Sequence, residues 1–268
     1  MNDSHMDSVT KELREKYSPD GSSLRKAQLR MLDMLIFIDK VCKENGLTYW
    51  LDSGTLLGAK RHGGFIPWDE DTDICMPRKD AKRFREIMIK QKPSNEFVLQ
   101  CRATDSGYFG AWCILRDTKT EYIQNSRMHN MRKYRGLQVD IFDVDDHCIE
   151  LVRQLIARYQ HYFINRPLDT IESSFWAKLI VIPSYYFLAF IKTIVRFFSP
   201  QRDYFIKPLG VVWRHMLKRN VYPLSKIQFE NIEFNSPGKV EDYLSDMYGD
   251  WRRLPENIKC HHVEVVFK

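Results

Sequence analysis

The run Asp71-Thr72-Asp73-Ile74-Cys75-Met76 constrains this chain more than any other. Its apolar end reads as a buried strand, and its acidic start puts Asp71 and Asp73 on one face of that strand, because successive side chains alternate. Two like charges side by side repel, and burying them without a counter-ion is costly. Paired hard oxygens suit magnesium, which is usually shared between a couple of carboxylates and substrate phosphates. A lone Asp-x-Asp is more often a solvated acidic loop, so the weight rests on its surroundings.

Upstream, Thr48-Tyr49-Trp50-Leu51 reads as a strand, broken at Ser53-Gly54-Thr55 before a helix-like turn at Leu56-Leu57-Gly58-Ala59. Small residues let backbone N–H groups approach an anion, and a helix N-terminus favours negative charge. Gly54 and Thr55 are therefore candidate phosphate ligands, with Lys60 and Arg61 adding charge. A third acid comes from Leu137-Gln138-Val139-Asp140-Ile141-Phe142-Asp143, where Asp140 has the most regular strand flanks, ahead of Asp143, Asp145 and Asp146. Asp71, Asp73 and Asp140 are thus the catalytic and metal-ligand candidates, for Mg2+ or Mn2+. The plain alternative for Asp140 is an acid-rich strand end that faces water.

These residues resemble a known family. Tyr49 to Ala59, Arg61-His62 and Gly64-Phe65-Ile66-Pro67-Trp68-Asp69-Glu70-Asp71-Thr72-Asp73-Ile74 are similar to the signature of LicD-type phosphotransferases, relatives of fukutin and fukutin-related protein with a nucleotidyltransferase-like fold. The family typically has Trp-Asp-Asp-Asp-Ile-Asp, so Glu70 and Thr72 depart from it, but both metal-pair aspartates remain. Val139-Asp140-Ile141-Phe142 resembles a later acidic motif of the family. Pro223, Phe229-Glu230, Pro237, Tyr243-Leu244, Tyr248-Gly249-Asp250-Trp251 and Pro255 resemble its C-terminal segment. The resemblance covers roughly residues 24–145 and 221–262. It implies a CDP-alcohol donor, most often CDP-choline, and a sugar hydroxyl of a surface glycan, lipopolysaccharide or lipid-linked saccharide as acceptor, with CMP released. It also places Asp69, Arg252 and His261 near substrate. Two alternatives stay open: a true nucleotidyltransferase that releases pyrophosphate, and an inactive glycan- or lipid-binding module.

The expected fold is α/β (α+β): a nucleotidyltransferase-like mixed sheet flanked by helices, with an additional helical segment. Residues 1–23 read as a flexible arm, 24–149 as the catalytic core, 150–220 as a helical insertion and 221–268 as a segment completing the core. Ser22-Ser23 and Gly46 bracket one helix, whose Leu24, Ala27, Met31, Met34, Leu35, Ile38, Val41 and Cys42 form a stripe. Asp80 opens a basic helix to Lys90, and 97–101 and 111–115 read as strands. Arg116-Asp117 follows the second of them, either as a phosphate ligand or as a surface ion pair, and Arg78 and Lys79 read as mainly solvated.

With 44% hydrophobic and 28% charged residues, the chain is globular rather than disordered. Its net charge of +6 fits anionic substrates or an acidic membrane face, and no nucleic-acid module is recognisable. Six scattered cysteines without a Cys-x-x-Cys pair read as reduced. His147-Cys148 and Cys260-His261-His262 lack structural-zinc spacing. Met1 to Tyr17 has no apolar signal core, so the expected location is cytoplasmic. Phe175 to Phe198 has the length of a membrane span, but Lys178, Pro183, Lys192 and Arg196 speak against a simple one. The favoured reading is two helices broken near Pro183 and packed on the core. The other is an interfacial hairpin on the inner leaflet, a peripheral membrane contact through 175–198.

Overall fold

A computed structural model describes residues 3–123, 127–171, 174–207, 215–258 and 264–268. In chain order the first elements are α1 (Asp3–Tyr17), α2 (Ser23–Asn45), β1 (Trp50–Leu51), α3 (Ser53–His62), β2 (Asp73–Pro77), α4 (Arg78–Lys90), β3 (Phe97–Gln100), β4 (Cys113–Asp117) and β5 (Thr120–Ile123). Then come α5 (Arg127–Met131), β6 (Gln138–His147), α6 (Glu150–Gln160), a π turn at His161–Asn165, α7 (Arg166–Thr170) and α8 (Ser174–Phe198). The chain closes with β7 (Gln201–Ile206), β8 (Met216–Leu217), α9 (Lys218–Val221), β9 (Ser225–Phe229), β10 (Ile232–Ser236), α10 (Val240–Tyr248) and β11 (Glu264–Phe267).

The fold is α/β. Its main sheet runs β1-β2-β6-β4-β3, with β7 and β8 continuing from β6. β2 and β6 are parallel and the other pairs are antiparallel, so the sheet is mixed. The long β6 sits between β2 and β4 because Val139, Ile141, Phe142 and Val144 are all buried. Burial on both faces is what a central strand requires.

α2 forms as its caps dictate. The Ser22 side chain accepts from the Arg25 N–H, and Gly46 ends the helix at φ 61°, a left-handed geometry that suits glycine. Its stripe from Ala27 to Cys42 is buried in the core, while Leu24 is half-buried. Strand boundaries moved. β4 begins at Cys113 rather than Ala111 and runs through Asp117, so Arg116 is inside the strand.

Within the stretch expected to be a flexible arm, Asp3–Tyr17 form α1, which packs against α3. Thr10 Oγ1 lies 2.9 Å from His62 Nδ1, and Arg14 is 3.5 Å from Glu230. Glu230 also takes two hydrogen bonds from Arg25, at 3.0 and 2.8 Å, and one from the Phe65 N–H. One carboxylate at the β9–β10 turn therefore ties α1, α2 and the Gly64-Phe65 loop together.

The expected break at Pro183 does not occur. α8 is one continuous helix with Pro183 inside it. A proline removes one backbone hydrogen bond and strains the preceding turn, yet the helix runs on through the apolar residues either side. Val181 and Leu188 face a small second core with Ile156, Ile164, Leu168 and Phe109. Trp176, Leu179, Phe187, Phe190 and Phe197 are exposed, and only 11% of the helix's most apolar window is buried. The helix is long and apolar enough to cross a membrane.

Candidate active site

The register of the parallel pair builds the site. Asp73 opens β2 directly beside Asp140 on β6, and Asp140 N–H donates to Thr72 O at 2.8 Å. In a parallel ladder, residues in register present their side chains to the same face of neighbouring strands. Asp71 lies just before β2 rather than within it. Thr72 between them is fully buried and donates to Gln138 O at 3.2 Å, which keeps the alternation going one step upstream. The three aspartates from two distant stretches are thereby brought together.

Their electrostatics are those of crowded acids. Burial, then the charges of Asp71 and Asp140, push Asp73 well above the usual carboxylate range. Burial chiefly raises Asp140 to about 6, with a hydrogen bond from Trp112 and then the Arg116 charge pulling the other way. Asp69 joins them: burial and the neighbouring Asp71 charge push it up to about 8. Asp71 is an exposed residue at the edge of the cluster; the packing around its carboxyl raises it too, although its hydrogen bond with Asp69 lowers it. Two carboxyls within hydrogen-bond reach share a proton or wait for a cation.

The cluster fits a divalent metal by its own chemistry. Asp140 Oδ1 is buried without a hydrogen-bond partner, which is costly unless something positive answers it. An all-oxygen set of hard donors matches magnesium or manganese better than zinc. Among the described residues, Asp71, Asp73 and Asp140 do not bring their ligand atoms within 4.8 Å of one another in this structure; the group that does is a different one, Asp145, Asp146 and His147. Protein cations already engage it, with Arg196 2.7 Å from Asp145, and Lys218 paired to Asp146. Cys260, His261 and His262 lie outside the described residues, so neither the His261 reading nor the zinc reading meets coordinates.

The expected phosphate cradle is used differently. Thr55 Oγ1 is buried and accepts the Asp73 N–H at 2.8 Å, fixing the start of β2. Gly54 makes room for a carboxyl: a Cβ there would lie 2.7 Å from Asp69 Oδ2. Lys60 is exposed and pairs with Glu241 at 3.0 Å. Arg61 is buried and bolts the C-terminal segment in place, donating to Trp251 O at 3.1 Å and to His62 Nε2 at 2.9 Å. Because Nε2 accepts, His62 carries its proton on Nδ1 and donates it to Thr10.

Arg116 is neither a surface residue nor paired with Asp117. It is 1% exposed and donates to Gln100 Oε1 at 2.8 Å and Gly136 O at 2.9 Å, while Arg30 holds Asp117. From that buried position its charge acts on Asp140. Arg252 is exposed, paired with Glu241 and stacked 4.2 Å over the Trp251 ring. Trp251 itself is core.

Sequence reasoning missed Asp52 and Lys207. Asp52, fully buried, pairs with Lys207, accepts from Tyr243 Oη at 2.6 Å and from Ser53 Oγ at 3.0 Å. Burial raises its carboxyl, but the Lys207 charge and these bonds outweigh that and hold it below the usual range. Lys207 also donates to Ser53 Oγ at 2.7 Å, lies 4.6 Å over the Phe142 ring and lowers Asp73. Asp52 was visible only as part of the run before Gly54, and Lys207 sits in a stretch without a motif.

Residues 46–168 match the family described as "LicD/FKTN/FKRP, nucleotidyltransferase domain", which takes in Asp71, Asp73 and Asp140. Lipopolysaccharide cholinephosphotransferase LicD of Haemophilus influenzae is 24% identical over 268 residues, 91% of this chain and 98% of that one. Ribitol 5-phosphate transferase FKRP of Mus musculus is 29% identical over 97 residues, 35% of this chain and 18% of that one. Mannosyltransferase regulator 4 of Saccharomyces cerevisiae is 36% identical over 70 residues, 25% of this chain and 6% of that one. Residues 46–168, which set Asp73 beside Asp140, thus match the nucleotidyltransferase domain of the LicD/FKTN/FKRP family.

Proposed function

We propose that this protein is a metal-dependent transferase that moves a phospho-alcohol group from a CDP-alcohol to a sugar hydroxyl of a surface glycan or glycolipid. Phosphocholine from CDP-choline is the donor group we favour, with CMP as the other product. The observation that carries the reading is the convergence of Asp71, Asp73 and Asp140 with a buried, unanswered Asp140 oxygen. The printed activities of the Haemophilus and mouse relatives, both phospho-alcohol transferases by name, support the substrate class.

In this reading Asp71, Asp73 and Asp140 hold magnesium or manganese. The bound ion would neutralise the donor's diphosphate and the charge on departing CMP. Asp140 would also take the acceptor hydroxyl's proton. Arg116 keeps that carboxylate ionised, and Thr55 holds the strand that carries Asp73. Asp69 shares charge with Asp71 at the start of α3. Catalysis rests on positioning and electrostatics rather than on a covalent intermediate.

The apolar face of α8 fits a lipid surface: Phe175–Phe198 contains Lys178, Lys192 and Arg196 but no carboxylate. We place the enzyme at the cytoplasmic membrane face, next to an acceptor anchored there.

The test is product analysis with a panel of CDP-choline, CDP-ribitol and CDP-glycerol. Magnesium-dependent thermal stabilisation by one of them, and CMP release on adding a glycan acceptor, are expected. Asp73→Asn should lower the rate by at least about 100-fold with the fold intact. Pyrophosphate as product would make the enzyme a nucleotidyltransferase, and absence of any metal-dependent nucleotide binding would leave a binding module.

A further inference from the structure

A second feature of the site points at the acceptor. Between α4, the 101–113 loop and the inner side of α8 lies a cavity of about 480 Å³. Arg78, Arg85, Arg102 and Lys192 line it, against one carboxylate, Asp143. Arg78 makes only long contacts, 3.8 Å to Asp143 and 3.7 Å to Asp145. Lys192 donates to a neutral acceptor, Gln160 Oε1, at 3.2 Å. Among the described residues, Arg85 Nε and Arg102 Nε are buried without a hydrogen-bond partner. Buried donors short of acceptors are costly, and cations gathered in one cavity add repulsion. An anion rich in acceptor oxygens relieves both, and phosphate does so with charge-assisted bonds.

The cavity also leads to the site. Tyr108 to Trp112 form a wall shared with an adjoining cavity of about 240 Å³ that reaches Asp140. The facing wall is α8, which turns Tyr185, Leu188 and Lys192 inward and Phe187 and Phe190 outward. A group held there has cations on one side and an apolar surface just beyond.

We propose that this cavity binds a phosphate group of the acceptor, a phosphate-bearing glycan or glycolipid, and so aims the acceptor's sugar hydroxyl at Asp140. The assignment rests on the phosphotransfer reading. The donor's diphosphate has its own place at the carboxylates, where it needs the divalent metal. Binding in this cavity needs none, because its cations belong to the protein.

The experiment uses the full chain in excess EDTA, with inorganic pyrophosphate as soluble probe and phosphatidylcholine vesicles, with or without phosphatidic acid, as lipid probe. Pyrophosphate should raise the melting temperature without metal. Arg85→Gln and Lys192→Gln should each weaken that binding by about tenfold, while leaving magnesium-dependent stabilisation by CDP-choline unchanged. Competition by phosphatidic acid vesicles would mark the phosphate as lipid-borne, and binding of pyrophosphate alone would mark it as carried on the saccharide; both support the cavity. Absence of metal-free binding, or binding indifferent to both substitutions, would overturn it. Equal loss of magnesium-dependent CDP-choline binding in the variants would give the cavity to the donor and overturn the acceptor assignment. Loss of donor binding in the wild type with pyrophosphate binding intact would instead remove the transfer reading alone. If Lys192→Gln lowers the melting temperature, Arg85→Gln and Arg102→Gln carry the comparison.

Discussion

Asp52 and Lys207 show what a single buried charge does here. Both side chains are almost fully enclosed, at 0% and 2% exposure, and each is tolerated only because of the other. Lys207→Met would leave Asp52 buried without its counter-charge, at an expected loss of about 3–5 kcal/mol in chemical denaturation. Adding Asp52→Asn should restore most of it; a double variant as unstable as the single one would show that packing, not charge, is at stake. His62 gives the second residue-scale prediction. Burial first, then the Arg61 and Arg14 charges, push it down to about 3. The folded state therefore leaves it neutral while the unfolded chain protonates it below about 6.5. Its contribution is complete above pH 6.5 and is lost as pH falls toward 3, at about 1.4 kcal/mol per pH unit. The crowded carboxyls of the site act in the opposite sense, so the informative quantity is the difference between wild type and His62→Gln. That difference should shrink as the solution is acidified from pH 7 to pH 4; a constant difference would show that His62 does not titrate as its surroundings dictate.

Among the elements, α8 carries the membrane proposal, and its two faces have different work. Val181 and Leu188 hold it to the second core, and Phe187 and Phe190 face outward. Phe187→Glu with Phe190→Glu should leave the melting temperature within about 2 °C of wild type, since neither residue is buried. Flotation with anionic vesicles should fall sharply in that variant. A wild type that does not float at low salt would refute the membrane contact. β6 makes the complementary point about strands. Its ten residues carry both the site acid Asp140 and the ion-paired acids Asp145 and Asp146. The first lies beside another aspartate in the sheet and the others lie beside arginine and lysine, so one strand holds acids with opposite electrostatic fates.

At the scale of the whole molecule, Glu230 joins α1, α2 and the loop leading to the site. Glu230→Gln should cost about 2–3 kcal/mol, because Arg25 would lose its partner in a largely buried setting. Melting temperature checks this, and urea titration would show whether α1 detaches first as a separate transition. The acidic pattern of the candidate site was legible in the chain. The acidic step at Asp71-Thr72-Asp73 and the regular flanks of Asp140 rest on local alternation, which the backbone obeys almost everywhere. The α2 caps were legible for the same reason, since Ser22 and Gly46 act on their own neighbours. The basic residues were not. Lys60, Arg61 and Arg116 were read as phosphate ligands, yet each found a partner from distant chain: Glu241, Trp251 and Gly136. A long cationic side chain reaches far, and its partner is fixed only when remote segments meet. The continuity of α8 through Pro183 depends in the same way on the helices packed behind it. Short-range chemistry in the chain was enough for the buried strand after Asp73 and for the limits of α2, because those follow from backbone geometry over a few residues. The tertiary structure alone decided that Asp73 stands beside Asp140, and which cations are spent on carboxylates and carbonyls and which remain to meet a ligand, because pairing over long separations is a property of the packed chain.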